Sequence, residues 1–392
     1  MMKYTPLKNI ADVLSGFAFK SEHFRESGIP VIRIGDIQAD QTIAIDSCKC
    51  VDPKLTSSQI QKKYQVLPND ILMALSGATT GKIGIAHDSI SPALLNQRVA
   101  IIRSSNSDTQ NYLKYIFSEK LKQELLQHAL GAAQANLSPK TLESLKIPLP
   151  PIAEQKRIAA ILDKADAVRR KRREAIRLTE ELLRSVFLDM FGDPGKNYRG
   201  WEVVQLQSAC KKITDGTHHM PGTLDFGIPI LRALNIRQDR LDKSDLVYVS
   251  REDFNSISKR SKIEKGDVLL TCLGSIGKST IFEEDEEYTL VRNISLIKTK
   301  SSKIIPEFLT GLLQSPYMQA QMKARSRAST QPALYLSEIA KLKIILPPID
   351  LQLKYLQTFK LLRVRVRKLE NQLQESEDLF DSLLQHAFTG NL

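Results

Sequence analysis

Cysteine, histidine and tryptophan are all scarce here: four, six and one among 392 residues. The cysteines are Cys48, Cys50, Cys210 and Cys272. The one close pair, Cys48-Lys49-Cys50, lacks the second pair or His cluster that a metal-ligand set needs, so structural or free thiols are expected and no metal site. No stretch approaches the ~18 apolar residues of a membrane span, and the segment MMKYTPLKNIADVLSG has no apolar core of signal-peptide length. The chain reads as cytoplasmic, with no membrane partner. Missing too are a Gly-rich nucleotide fingerprint, a nucleophile elbow and a paired-carboxylate motif. No Asn-Pro-Pro-aromatic or Asp-Pro-Pro-aromatic segment occurs, and the two Leu-Pro-Pro-Ile segments lack the polar residue such a catalytic loop requires. No active site and no cofactor site is legible.

One false lead needs spacing to exclude it. Gly274-Ser-Ile-Gly-Lys-Ser-Thr280 resembles the end of a phosphate-binding loop, but the glycine required five positions before Gly277 is replaced by Cys272. Its counterpart Gly77-Ala-Thr-Thr-Gly81-Lys82-Ile83 is one residue short and lacks the Ser or Thr that would hold magnesium. Turn formation and contact with a DNA backbone suit these glycines and lysines better.

What is present is positive charge and a duplication. With 56 Lys plus Arg against 44 Asp plus Glu the net charge is +12, which suits a polyanionic partner, nucleic acid first. At 392 residues the chain is long for one core and comfortable for two. The block Leu145-Lys-Ile-Pro-Leu-Pro-Pro-Ile-Ala-Glu-Gln155 returns as Leu342-Lys-Ile-Ile-Leu-Pro-Pro-Ile-Asp-Leu-Gln352, identical at eight of eleven positions. Gly28-Ile-Pro-Val-Ile-Arg33 returns as Gly227-Ile-Pro-Ile-Leu-Arg232, Asp70-Ile-Leu as Asp267-Val-Leu, Gly81-Lys82 as Gly277-Lys278, and Gln134 as Gln331. The matches stay in order at an offset of about two hundred residues, so the chain is a duplicated unit.

Each unit opens with short β-branched segments bounded by Gly, Asn, Asp or Pro: Pro30–Ile34, Asp70–Ala74 and Arg98–Ile102, then Val268–Thr271 and Asn293–Ile297. Residues 111 to 130 and 306 to 324 carry helical spacing, so each globular part is α+β and roughly 150 residues long. After each Leu-Pro-Pro-Ile, Pro and Gly vanish for almost forty residues, which predicts two long helices. In the second, Leu362, Val366, Leu369, Leu373, Ser376, Phe380, Leu383 and Ala387 follow the four-and-three steps of a coiled-coil seam. The first offers Ile161, Ala165, Val168, Arg172, Ala175, Thr179, Leu182 and Val186, a seam interrupted by Arg172 and Thr179. A helix with one apolar stripe needs a partner, and the duplication supplies it. The break at Phe191-Gly-Asp-Pro-Gly195 leads to the second domain, so the helices should run antiparallel. About thirty-eight residues at ~1.5 Å each span roughly 55 to 60 Å, making them a spacer between two heads related by approximate two-fold symmetry.

Two charged features stay open. The run Arg169-Arg-Lys-Arg-Arg173 and the series Arg363, Arg365, Arg367 and Lys368 lie in the helical stretches, where they serve as solvated faces or as contacts to phosphate or an acidic partner surface. His218 and His219 are adjacent without a ligand partner at metal spacing, so they are exposed loop histidines or contacts to base or phosphate.

Taken in order, the tandem domains, Ser15-Gly-Phe-Ala-Phe-Lys-Ser21, the Gly-Ile-Pro strands, the paired Leu-Pro-Pro-Ile helix starts, Met190-Phe-Gly-Asp193 and Ala387-Phe-Thr-Gly-Asn-Leu392 resemble the specificity subunit of type I restriction-modification systems. The resemblance covers the whole chain. It implies target-recognition domains at 1–150 and 194–347, a central long helix at 151–193 and a C-terminal long helix at 348–392. Each recognition domain would read one half of a bipartite site in double-stranded DNA, and the helices would set the gap between halves. It also implies two methyltransferase subunits as partners, with two motor-nuclease subunits completing a restriction enzyme. S-adenosylmethionine, ATP and Mg would then serve those partners, with no catalysis in this chain.

A protein reading two different half-sites should repeat its scaffold and vary its reading surface. The repeated Arg33/Arg232, Lys82/Lys278 and Gln134/Gln331 are therefore candidates for phosphate positioning or polar structure. The loops that differ are 17 to 26 against 217 to 226, 78 to 80 against 275 to 276, and 37 to 66 against 236 to 262. In them, or bordering them, Lys20, Thr79, Thr80, His218, His219 and Asn235 are candidate base readers, since Arg and Lys grip guanine edges and Asn and Gln adenine edges. The rival readings are a basic coiled-coil adaptor without sequence preference, and an enzyme with an unrecognised nuclease site.

Overall fold

The structure, a computed structural model, describes residues 4–90, 92–117, 137–326 and 332–389. Its contacts divide it into two units, Met1–Arg172 with Gln372–Leu392, and Arg173–Asn371. Each unit is one α+β domain together with a part of each long helix.

In the first unit a four-stranded antiparallel sheet has the order Asp12–Ser15, Val99–Arg103, Ile71–Ala74, Ile83–Ile85. The two central strands are apolar on successive residues rather than alternating, because both faces of the sheet are covered. The odd positions of Ile71–Ala74 join one core with Tyr112 and Leu113, while Leu72 and Ala74 join another with Ile32 and Leu95. A second sheet pairs Ile29–Ile32 in parallel with Ala93–Leu95. The second unit repeats this plan: Cys210–Asp215, Ile294–Thr299, Val268–Thr271 and Ser279–Ile281 in the same order, with Ile228–Leu231 parallel to Thr289–Leu290. The strands expected from β-branched runs are present, with ends shifted by a residue or two.

The repeated Leu-Pro-Pro-Ile blocks have a structural reason. Tyr4–Pro6 pairs with Lys146–Pro148, and Glu202–Gln205 with Lys343–Leu346, so each domain closes its ends together just before its long helix. The repeated glutamine then locks the proline turn. Gln155 Nε2 donates to the Pro150 carbonyl at 2.8 Å, and Gln352 Nε2 to that of Pro347 at 2.9 Å, both side chains being buried.

The first long helix spans Ile152–Phe191, 40 residues, and the second Ile349–Thr389, 41 residues. Within each unit they run antiparallel. In the first unit Arg169 stacks on Phe380 at 3.6 Å and Arg172 donates to the Gln372 carbonyl and Ser376 Oγ. In the second, Phe187 meets Tyr355 edge-on at 5.7 Å between ring centroids, amid Phe191, Phe308 and Phe359. The seam of the second helix matches expectation at Val366, Leu369, Ser376, Phe380 and Ala387, all buried. That of the first helix is corrected. Val168 and Leu182 are 44% and 50% exposed, while Leu162, Leu183 and Phe187 are buried and Arg169 and Arg172 face the second helix. Arginine guanidinium groups make the contacts there, by stacking on a ring and by hydrogen bonding, so counting only apolar residue types selects the wrong stripe.

The helical stretch expected at 111 to 130 is helix over Ser107–Ile116, with 118–130 outside the described residues. That at 306 to 324 is two helices, Pro306–Gln314 and Pro316–Arg325. Pro316 keeps Ser315 extended, and the Ser315 hydroxyl caps the second helix by accepting from Met318 N at 3.3 Å.

Candidate nucleic-acid interface

Four loop roots meet in each domain, and the same backbone hydrogen bonds tie them. In the first domain Phe17 N donates to Leu95 O at 2.8 Å, Gln97 N to Phe17 O at 3.0 Å, Asn96 N to Ile32 O at 3.0 Å, and Leu75 N to Arg98 O at 2.8 Å. In the second, Thr217 N donates to Leu290 O at 3.0 Å, Arg292 N to Thr217 O at 2.9 Å, Val291 N to Leu231 O at 3.1 Å, and Cys272 N to Asn293 O at 3.0 Å. The bonds fix the register between repeats: Phe17 corresponds to Thr217, Gln97 to Arg292 and Arg98 to Asn293. Gly16 and Gly216 permit this convergence. A Cβ on either would lie 2.2 Å from Leu95 O or 1.8 Å from Leu290 O, closer than any side chain tolerates.

The glycine-lysine segments form hairpin tips between antiparallel strands, Ile71–Ala74 with Ile83–Ile85 and Val268–Thr271 with Ser279–Ile281. A phosphate-binding loop passes from strand to helix, whereas here a strand follows and Ser279 and Thr280 are buried in it. Gly77, Gly81, Gly274 and Gly277 hold positive φ at these tips.

The candidates named from sequence separate into three groups. Arg33 is committed to Asp36, with its N at 2.8 Å and its Nε at 3.3 Å from Oδ2; Arg232 donates to Asp245 O at 2.8 Å and lies 3.1 Å from its carboxylate. Both side chains are engaged within their own domain. Asn235 is a correction: it is 0% exposed, accepts from Arg232 N at 2.9 Å, and donates to Asp242 O at 3.1 Å and Asp245 O at 3.0 Å. Its amide is spent on the turn, as the carboxylate of Asp36 is in the first domain, so it has no edge left for a base. Thr79 is half-buried, with its hydroxyl shielded from solvent, and Thr80 Oγ1 donates to Gly77 O at 2.7 Å within the tip.

The second group is exposed or half-buried at the loops. Lys20 lies 3.7 Å from Glu22, and His218 3.4 Å from Asp215, which also holds Arg260. His219 is exposed, and its carbonyl accepts from Thr217 Oγ1 at 2.8 Å. Lys82 and Lys278 are half-buried, and their ammonium groups have no ion pair among the described residues. The third group, Gln134 and Gln331, lies outside the described residues.

Three residues escaped the sequence reading: Gln97, Arg98 and Arg292, all exposed at the junction just described. Their signal is faint. Gln97-Arg98 and Arg292-Asn293 each precede a repeated β-branched strand, but only the cross-strand bonds show that these turns meet the other loops. Elsewhere the chemistry is quiet. The four cysteines are free and buried, and burial pushes the thiols of Cys48, Cys210 and Cys272 up to about 12. Among the described residues no three His, Cys, Asp or Glu side chains gather as metal ligands, and no helix is long and apolar enough to cross a membrane.

Comparison with known proteins places this doubled architecture. The family described as type I restriction modification DNA specificity domain matches residues 2–178 and again 198–376. The type I restriction enzyme EcoBI specificity subunit of Escherichia coli is 28% identical over 437 aligned positions, covering 98% of this chain and 85% of that protein. The EcoKI specificity subunit of Escherichia coli strain K12 is 23% identical, covering 99% and 88%. The S subunit of a type I restriction-modification system from M. genitalium shares the fold, with a TM-score of 0.57 at 15% identity over 99% of this chain and 96% of that one. Two matched repeats, each carrying the same loop junction, span nearly the whole sequence. The chain belongs to the type I restriction-modification DNA specificity family, as a two-domain, non-catalytic specificity subunit.

Proposed function

We propose that each domain reads one half of a bipartite DNA site through its loop junction, and that the paired long helices set the unspecified gap between halves. The observation that carries this reading is one backbone junction built twice with different side chains on it. A scaffold repeated to that degree positions two surfaces, and Gln97, Arg98 and His218, His219, Arg292 give the surfaces different chemistry. Lys82 and Lys278 would contribute phosphate contacts, in keeping with a net charge of +12.

The complex would contain two methyltransferase subunits, one for each half-site, and two motor-nuclease subunits where the system restricts. S-adenosylmethionine would be bound by the methyltransferase, and ATP and Mg by the motor-nuclease, in the cytoplasm. Exposed apolar side chains on the long helices support a docking role. Leu361 and Val364 are 71% and 65% exposed on one face of the second helix, more than an isolated charged helix surface needs.

The test is selection of duplex DNA from a random pool by the chain reconstituted with its methyltransferase. Recovery of a two-part motif with a fixed gap is expected. Recovery of DNA without sequence preference, with binding that fades uniformly with salt, would favour the basic adaptor.

A further inference from the structure

We propose that Gln97 and Arg292 are the matched specificity-determining positions of the two domains, Gln97 taking an adenine edge in one half-site and Arg292 a guanine edge in the other. This rests on the reading of both domains as half-site readers and names where that reading is done.

Register makes the two residues equivalent. Gln97 N donates to the first residue of one varying loop, at Phe17 O, and Arg292 N does the same at Thr217 O. One residue later, the carbonyls of Arg98 and Asn293 accept from Leu75 and Cys272, the residues that open the hairpin tips. Each side chain therefore stands where the loop after the first sheet strand and the hairpin tip come together. Two residues further, Val99 and Ile294 are fully buried in the central strands, so the position is held by a rigid element rather than by a loose tip.

Availability separates these two from most of their neighbours. Both are exposed, and neither side chain has a hydrogen bond or ion pair among the described residues. Around them Arg33, Arg232 and Asn235 are committed internally, Asn96 Oδ1 accepts from Arg98 N at 3.3 Å, and Asn293 Oδ1 accepts from Ala233 N at 3.1 Å.

Chemistry separates reading from positioning. A phosphate contact keeps its charge when duplicated, as Lys82 and Lys278 do. At 97 and 292 a neutral amide alternates with a guanidinium on the same backbone. These are the two side chains that grip purine edges bidentately in the major groove, the amide at adenine N6 and N7, the guanidinium at guanine O6 and N7. The next position does not form such a pair, because Asn293 Oδ1 is held by Ala233 N; Arg98 therefore stands alone and is assigned to a phosphate of the first half-site.

The experiment co-expresses the full chain with its methyltransferase and determines the methylated motif for the unmodified chain, Gln97→Ala, Arg292→Gln and Arg98→Ala, with complex formation and unfolding midpoint checked for each. The expected result is local. Gln97→Ala makes one position of one half-site degenerate, and Arg292→Gln loses preference for one guanine in the other half, each by roughly five- to a hundredfold in discrimination. Arg98→Ala lowers methylation at all sites evenly and reduces the salt slope by about one. A bipartite motif that survives unchanged in Gln97→Ala and Arg292→Gln, or an even loss without a change of preference, overturns the assignment and leaves the half-site reading standing. Absence of any bipartite motif with the unmodified chain overturns that reading itself.

Discussion

Individual residues in this chain are constrained most where backbone passes close to backbone. Gly216 is the extreme case, since any Cβ there would overlap the Leu290 carbonyl that also receives Thr217 N. Gly216→Ala should therefore destabilise the second unit by about 3 kcal/mol, at the upper end of overpacking costs, and displace the loop holding His218. Denaturant unfolding checks the first effect, and loss of preference for one half-site the second. Asp239 makes a different kind of prediction. It lies at a cavity of about 160 Å³ lined by Leu183, Phe187, Tyr355 and Phe359, and desolvation pushes its carboxyl up against the pull of Arg363, a 2.5 Å hydrogen bond from Gln314, and Arg184. A carboxyl raised in the folded state gives stability that is complete below the ordinary aspartate value and lost as pH rises through the folded one. Asp239→Asn carries no charge to desolvate, and Asn accepts the positive φ at this turn. The variant should match the parent in acid and exceed it at neutral pH. Equal unfolding midpoints at every pH would contradict this.

At the scale of elements, the polar node in the first unit is the informative feature. Arg172 interrupts an otherwise packable seam, yet its guanidinium reaches both Gln372 O and Ser376 of the antiparallel helix. Polar groups in such seams select one register among several that apolar packing permits. Arg172→Met should hold or raise the unfolding midpoint while broadening the distance distribution between spin labels at Lys171 and Glu375. An unchanged distribution would mean that packing alone fixes the register. The same helix shows where sequence reading succeeds and where it stops. The helix starts at Ile152 and Ile349 were legible because proline forbids earlier helix and the buried Gln155 and Gln352 repeat with it. Strands were legible because β-branched runs end at glycine and asparagine. The shift of the seam from Val168 to Arg169 was not, since it depends on a guanidinium stacking on Phe380, far away in sequence. Asn235 looked like a reader for its residue type alone, and only its three internal hydrogen bonds show it spent. Gln97 and Arg292 carry no such signal in the sequence, since only cross-strand bonds show that their turns meet the other loops.

For the whole molecule, DNA reading and subunit docking use different surfaces, which should be separable by mutation. Leu361→Ser combined with Val364→Ser removes exposed apolar area without touching either loop junction. Capture of the methyltransferase should weaken at least about tenfold, the effect of losing some 1.4 kcal/mol, while the unfolding midpoint holds. Unaltered capture would move the docking surface elsewhere. Half-site reading is tested by a genome-wide map of methylated adenines in cells carrying the chain with its methyltransferase, set against cells lacking the chain. Methylation is expected at a two-part motif with a fixed unspecified gap, lost when the chain is removed. The same methylation pattern in both strains, with the complex formed and the methyltransferase active, would contradict it.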